Sequence, residues 1–214
     1  MKNIIIIFIL IFFNACINSN MHITKKYGKD GVVNENNITI IKHKYNKIYN
    51  FNQYGYAIVS NYGKFGVINE DDKIVLDIIY DEISSFYNGY AKIKLHNKIG
   101  LVNREYKVVI KPIYSQIKNY SDGIIIVRNN SKVGCINKDF ELKLKPIYKE
   151  IFPSDTAYRK ITLNGKWGFI DNNCNIIVKI KYDFVEDFYN NTTTVYKNDI
   201  KYKINIKGEL LPFQ

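Results

Sequence analysis

Arginine, alanine, histidine and cysteine are scarce in this 214-residue chain, and each shortage removes a class of protein. Of its 31 basic side chains only 3 are Arg and the rest are Lys. Arginine is the side chain that forks onto phosphate and guanine, so the net charge of +11 does not describe a reader of nucleic acid. A strongly AT-biased genome would give the same excess of Lys, Asn, Ile and Tyr without selection for charge. Four Ala leave too little material for the apolar faces of helical repeats. His22, His43 and His96 are far apart and show no HxxxH or HExxH spacing, so zinc chemistry lacks ligands. Three Cys are too few for a disulfide framework. No GxSxG elbow and no phosphate-cradling glycine loop is present. The long apolar run, Ile4 to Phe13, has ten residues, half of what a bilayer span requires.

That run is informative for where it stands. Lys2 precedes it, and small Ala15 and then Cys16 follow it, which is the layout of a secretory signal. The segment resembles a bacterial lipoprotein signal, with Phe13 and Asn14 where the usual motif has Leu and a small residue. The resemblance implies that residues 1–15 are removed, that Cys16 is lipidated, and that the hydrophilic residues 16–23, His22 among them, form a tether. Lipidation of Cys16 would leave Cys135 and Cys174, which occupy different places in the pattern below and read as incidental.

The remainder is one motif written about five times, with a period of 34 residues and one step of 35. Glycine recurs at Gly31, Gly66, Gly100, Gly134 and Gly168. Fourteen residues after each stands Tyr45, Tyr80, Tyr114, Tyr148 or Tyr182. Asn34, Asn69, Asn103, Asn137 and Asp171 lie three after the glycine, and Ile48, Ile83, Ile117, Ile151 and Val185 three after the tyrosine. An aromatic usually comes three further on, at Phe51, Phe86, Tyr120 and Phe188. A last, partial unit has Tyr202 in the glycine place and keeps Asn205.

Each unit offers short Ile/Val/Tyr/Phe runs bounded by Gly, Asn and Asp, the pattern of strands and tight turns. Three strands per unit are predicted, in the second unit over Phe65 to Asn69, Lys73 to Asp77 and Tyr90 to Leu95. The glycine either lets a neighbouring group approach closely or supplies an unusual dihedral. The Asn/Asp starts a turn by bonding its own backbone. Tyr and the later aromatic pack between units, because three strands cannot bury an apolar face alone. Pro112 and Pro146 stand at the ends of second strands.

The fifth unit reads NGKWGFIDNNCNIIVKIKYDFVEDF from Asn164 to Phe188 and is similar to the WG repeat family. Trp167 and Gly168 form the literal WG pair; Asp30, Phe65, Ile99 and Val133 take the Trp place elsewhere. The resemblance covers most of residues 24–214 and implies a repeat-built extracytoplasmic protein with no catalytic residues to transfer. The expected fold is all-β: tandem three-stranded repeats stacked as a curved solenoid or toroid, with a β-propeller-like arrangement as the alternative.

Packing does not account for one further column. Three residues before the tyrosine come Lys42, Asp77, Lys111, Lys145 and Lys179, with Lys44 and Lys181 close by. Aligned, they would make a basic ladder for an anionic glycan, a lipid head group or an acidic protein; alternatively they are strand lysines that prevent edge pairing. Asp81 and Glu82 are the best carboxylate pair, yet neighbours on a strand point to opposite faces. The expectation is a non-catalytic binding or scaffold module with no cofactor and no metal, lipid-anchored in the cell envelope and facing the periplasm or exterior. Its partner would be an envelope protein or an anionic glycan, with no nucleic acid. The alternative is an envelope enzyme acting on glycans. Residues 95–161 carry 13 basic side chains against 6 acidic ones, so the positive charge concentrates in the middle repeats.

Overall fold

The computed structural model describes residues 21–119 and 123–212, which form strands and turns with no helix among them. The signal-like residues 1–15, Cys16 and Tyr120 lie outside the described residues. The chain divides into two compact units, one reaching Asp81 and one starting at Glu82.

In the first unit β1 (Met21–Lys26), β2 (Lys29–Asn34) and β3 (Thr39–Tyr45) make a three-stranded sheet. A four-stranded sheet follows, from β4 (Lys47–Ile48), β5 (Tyr56–Asn61), β6 (Lys64–Asn69) and β7 (Ile74–Tyr80). The second unit repeats the four-stranded sheet four times. Its first two sheets are β8 (Glu82–Ile83), β9 (Ala91–Leu95), β10 (Lys98–Val102) and β11 (Val108–Tyr114), then β12 (Gln116–Asn119), β13 (Ile125–Asn129), β14 (Lys132–Ile136) and β15 (Leu142–Tyr148). The next is β16 (Glu150–Ile151), β17 (Arg159–Leu163), β18 (Lys166–Ile170) and β19 (Ile176–Tyr182). The last is β20 (Phe184–Val185), β21 (Thr192–Lys197), β22 (Ile200–Asn205) and β23 (Leu210–Leu211). Within every sheet, sequential strands pair antiparallel.

Three expectations are corrected. Every described sheet after the first is four-stranded rather than three-stranded, because the chain adds a short strand after each tyrosine, as at Lys47–Ile48 pairing with Ser60 and Val59. Sheets are also out of phase with the sequence repeat: the third strand of one repeat, such as β9, joins by the two-residue His96-Asn97 turn to the first strand of the next, β10, in the same sheet. Both turn residues have positive φ, 48° and 61°, which matches the twist of a tight hairpin. Finally, the supposed tether is strand from Met21 onward; Met21 and Ile23 pack on the core while His22 points outward.

The asparagine column makes its turn in the same way throughout. Asn69 Oδ1 accepts the backbone N–H of Asp71 and of Lys73 at 3.1 and 2.8 Å, and Asp171 Oδ1 accepts those of Asn173 and Asn175, both at 2.8 Å. The glycine column has a steric cause. Phe65 pairs with Tyr80 and Val67 with Leu76, so the partner strand carries two surplus residues that bulge towards Gly66. A Cβ there would lie 2.6 Å from Leu76 O, and at Gly100 and Gly134 only 2.4 Å from Ile110 O and Leu144 O. None of the five glycines has a positive φ, so close approach is what requires glycine. Pro112 and Pro146 occupy this bulge, inside strands that run to Tyr114 and Tyr148 rather than ending at the proline.

The core lies between consecutive sheets. In the first unit Val32, Ile41 and Tyr45 of the first sheet cluster with Ile48, Ala57, Val59 and Ile68 of the second. In the second unit Leu101, Ile110 and Tyr114 meet Ile117, Ile125 and Val127 of the following sheet. All five column tyrosines are buried. Each apolar side chain so enclosed contributes about 1.5–3 kcal/mol, and none could be enclosed by one sheet alone.

Candidate binding surfaces

Lys42, Lys111, Lys145 and Lys179 are exposed, each at the same place on the final strand of its own sheet, with exposed Asp77 in the fifth such place. None of the four lysines has an ion-pair partner among the described residues. These strands are sheet edges, a position where lysine hinders unwanted pairing. Their outward faces also carry apolar side chains, Ile79, Ile113 and Ile147, the middle one 54% exposed. Lys44 is committed elsewhere: it lies 2.6 Å from Asp72 and over the Tyr45 ring. Lys181 lies over the Tyr182 ring.

Of the carboxylate pair, Asp81 is engaged in structure. Asp81 accepts Lys64 Nζ at 2.5 Å, and Glu82 stands across from Lys94. His43 Nε2 is 2.9 Å from Thr24 Oγ1. Among the described residues no three His, Cys, Asp or Glu side chains converge in a way that could hold a metal ion. Burial raises the Tyr80, Tyr114, Tyr148 and Tyr182 phenols above their ordinary range. Burial raises Tyr45 as well, and its hydroxyl donates to Asp72 Oδ1 at 2.7 Å.

Trp167 stacks on Phe152 and meets the edge of Phe184, so the one literal WG pair builds packing. Cys135 and Cys174 are not incidental; they form a disulfide with Cα atoms 5.8 Å apart. Cys135 lies on β14 one residue after the column glycine, and Cys174 in the turn after β18, six after its own. Their separation of 39 residues is one period plus five, so non-equivalent places in successive repeats are neighbours in space. That spacing was the available signal. The turn place of Cys174 has left-handed backbone throughout the second unit and the first: Asn37, Asp72, Tyr106, Phe140 and Cys174 all have φ between 56° and 64°, and Gly208 has 75°. Holding an ordinary residue there costs about 1–2 kcal/mol. Several of these side chains reach back to the preceding sheet, as Asp72 does to Tyr45, Cys174 to Cys135, and Phe140 to the Tyr90 ring at 5.2 Å.

One cleft was not foreseen. Within the second unit Ser84, Ser85, Tyr87, Tyr90 and Lys92 face Ile117 and Lys118 across a cavity of about 470 Å³, with Leu101 also in its lining. This falls in the roughly 300–1,000 Å³ range of small-ligand sites. Leu101 and Ile117 are buried, whereas Tyr87 is 71% exposed. Tyr87 and Tyr90 exchange backbone hydrogen bonds of 2.8 and 3.0 Å around the Asn88-Gly89 turn. No single stretch announces the cleft, since its lining comes from residues 84–118.

Comparison with known proteins agrees with the repeat register. The sequence profile described as "WG containing repeat" matches residues 31–65, 65–98, 99–132, 134–155 and 167–199. No curated protein sequence matches significantly. Solved structures with some likeness include a eukaryotic initiation factor (10% identity, TM-score 0.33), with 89% of this chain covering 62% of that one. Kluyveromyces lactis Hsv2 is 7% identical (TM-score 0.30; 88% and 72% covered). The extracellular domain of a hybrid two-component system from B. thetaiotaomicron is 12% identical (TM-score 0.30; 86% and 33% covered). TM-scores near 0.3 do not constrain how the sheets are arranged.

Proposed function

From a chain that belongs to the WG containing repeat family, we propose a non-catalytic binding or scaffold module, lipid-anchored through Cys16 in the bacterial cell envelope and facing the periplasm or exterior. The observation that carries the reading is the division of labour among the columns. Glycines fill bulges, tyrosines fill the spaces between sheets and asparagines make turns, which leaves outward edge strands with unpaired lysines and exposed isoleucines for contact. Repetition supports recognition over catalysis, because a catalytic group is needed once. The Cys135–Cys174 bond supports an oxidising compartment, where such bonds persist. The partner is an envelope protein or an anionic glycan.

Crosslinking in intact cells, followed by identification of what is captured, tests this reading. Recovery of an envelope partner, reduced when Lys111, Lys145 and Lys179 are changed to Glu, is the expected result. Recovery of nothing beyond a control with a scrambled surface would overturn it. Palmitate labelling that persists in Cys16→Ala would overturn the anchor, and turnover of a carbohydrate panel that is lost on replacing Asp81 or Glu82 would favour an envelope enzyme instead.

A further inference from the structure

We propose that the cleft at the Tyr87–Tyr90 hairpin is a saccharide subsite that accepts a carboxylated sugar; this deepens the binding-module reading and rests on it.

The cleft presents cationic hydrogen-bond donors that no described carboxylate satisfies. Among the described residues Lys92 and Lys118 have no carboxylate partner and no acidic side chain lines the cavity. Ser85 makes no side-chain hydrogen bond among them, whereas Ser84 Oγ is occupied, accepting Lys92 N–H at 2.8 Å and donating to Ser85 O at 2.9 Å. Two free ammonium groups and a hydroxyl over an apolar floor call for a ligand rich in acceptors and bearing negative charge.

Aromatic geometry narrows the class. Tyr87 is held on a tight turn whose residues have φ of 48° and 85°, and its ring lies largely in solvent. Tyr90 beside it is braced edge-on by Phe140 at 5.2 Å. A rigid phenol ring offers a flat apolar face at small entropic cost, and its hydroxyl can bond the rim of what lies on that face. A pyranose has that combination: C–H groups on one face, hydroxyl acceptors around the edge and, in a uronic acid, a carboxylate for the lysines.

The last sheet contains an internal contrast. It builds the same hairpin, with Tyr189 bridged to Thr192 and 78% exposed. There Glu186 and Asp187 stand where the first copy has Ser84 and Ser85, and Thr194 stands where it has Lys92. The scaffold alone therefore does not demand the donors at Ser85 and Lys92. At the second hairpin the acids are engaged within the protein, Asp187 with Lys160 at 2.9 Å and Glu186 Oε1 accepting the Tyr196 hydroxyl at 2.9 Å, so that copy lacks the free donors of the first.

Calorimetric titration of the full chain with tetragalacturonic acid, maltotetraose and glucose 6-phosphate tests the proposal. Saturable binding of the uronate is expected, weakening with added salt and at least about tenfold tighter than binding of the neutral sugar. Lys92→Gln with Lys118→Gln should weaken it about tenfold or more, and Tyr87→Ser by a similar factor, with thermal midpoints unchanged. Lys179→Gln should leave it unaltered. Equal binding of maltotetraose, no uronate binding, preference for glucose 6-phosphate, or indifference to the two lysines would each overturn the carboxylated-sugar site. The two readings fail separately: an envelope partner captured in cells while uronate does not bind sinks the subsite alone. Uronate binding by a protein found untethered in the cytoplasm sinks the envelope reading alone.

Discussion

The first unit and the second close their sheets together from the same turn place with different chemistry. In the first, Asp72 reaches back to the Tyr45 hydroxyl at 2.7 Å and also takes Lys44. In the second, Cys174 reaches back to Cys135 and the contact is covalent. Both residues sit at left-handed backbone, with φ of 62° and 64°, where glycine would be easier to hold. The difference teaches that this turn is a clasp position: a side chain that tolerates the dihedral gains a contact on the preceding sheet, and what it carries sets the strength of the joint.

The largest expected effect removes the feature both clasps depend on. Gly134→Ala would bring a Cβ within 2.4 Å of Leu144 O, forcing β15 away from β14. A loss of about 4 kcal/mol in denaturant unfolding is expected, with a similar loss for Gly66→Ala; Gly63→Ala, with open space around it, should cost only about 1–2 kcal/mol. A Gly134→Ala variant as stable as the parent would refute the bulge account.

The disulfide comes next. Cys135→Ser with Cys174→Ser should lose about 3 kcal/mol, within the usual range for removal of a disulfide. Hydrogen exchange should report that loss in β14 and β18 while β3 to β7 keep their protection; uniform loss across the chain would break the contrast between the clasps. Tyr45→Phe removes the polar clasp of the first unit and should cost about 1–2 kcal/mol, because Asp72 loses a buried donor while Lys44 remains. Reducing agent should leave the effect of Tyr45→Phe unchanged.

Alkaline pH gives a milder effect on both units. Burial raises the column phenols above their ordinary value of 10.0, so folding favours the neutral form. Their contribution is fully present below pH 10 and is lost as pH rises past it, since unfolding releases phenols that ionise readily. Tyrosinate absorbance should therefore rise together with loss of β-sheet dichroism, and ionisation of all 18 tyrosines before any unfolding would contradict the burial of the column.

Legibility followed residue type. The columns Gly66, Tyr80 and Asn69 were readable because each serves a local demand that recurs every period, and the Asn69 turn needs nothing beyond its own five residues. The two-residue strand Glu82–Ile83 was not readable, because two residues cannot display an alternation. Cys135 and Cys174 share no column, and their contact runs between different columns of successive repeats, which a search for equivalent positions does not reveal. The cleft was hidden for the same reason: Tyr87 and Lys118 lie on either side of three intervening strands.

By itself the sequence determined the all-β class, the period and the residues that punctuate it, because turns, alternation and the demand for glycine act over a few neighbouring positions. Only the tertiary structure decided where one sheet ends and the next begins, which side chains clasp across that joint, and which lysines are left without a partner. Those outcomes depend on side chains one period or more apart, and no local rule carries a contact over that distance.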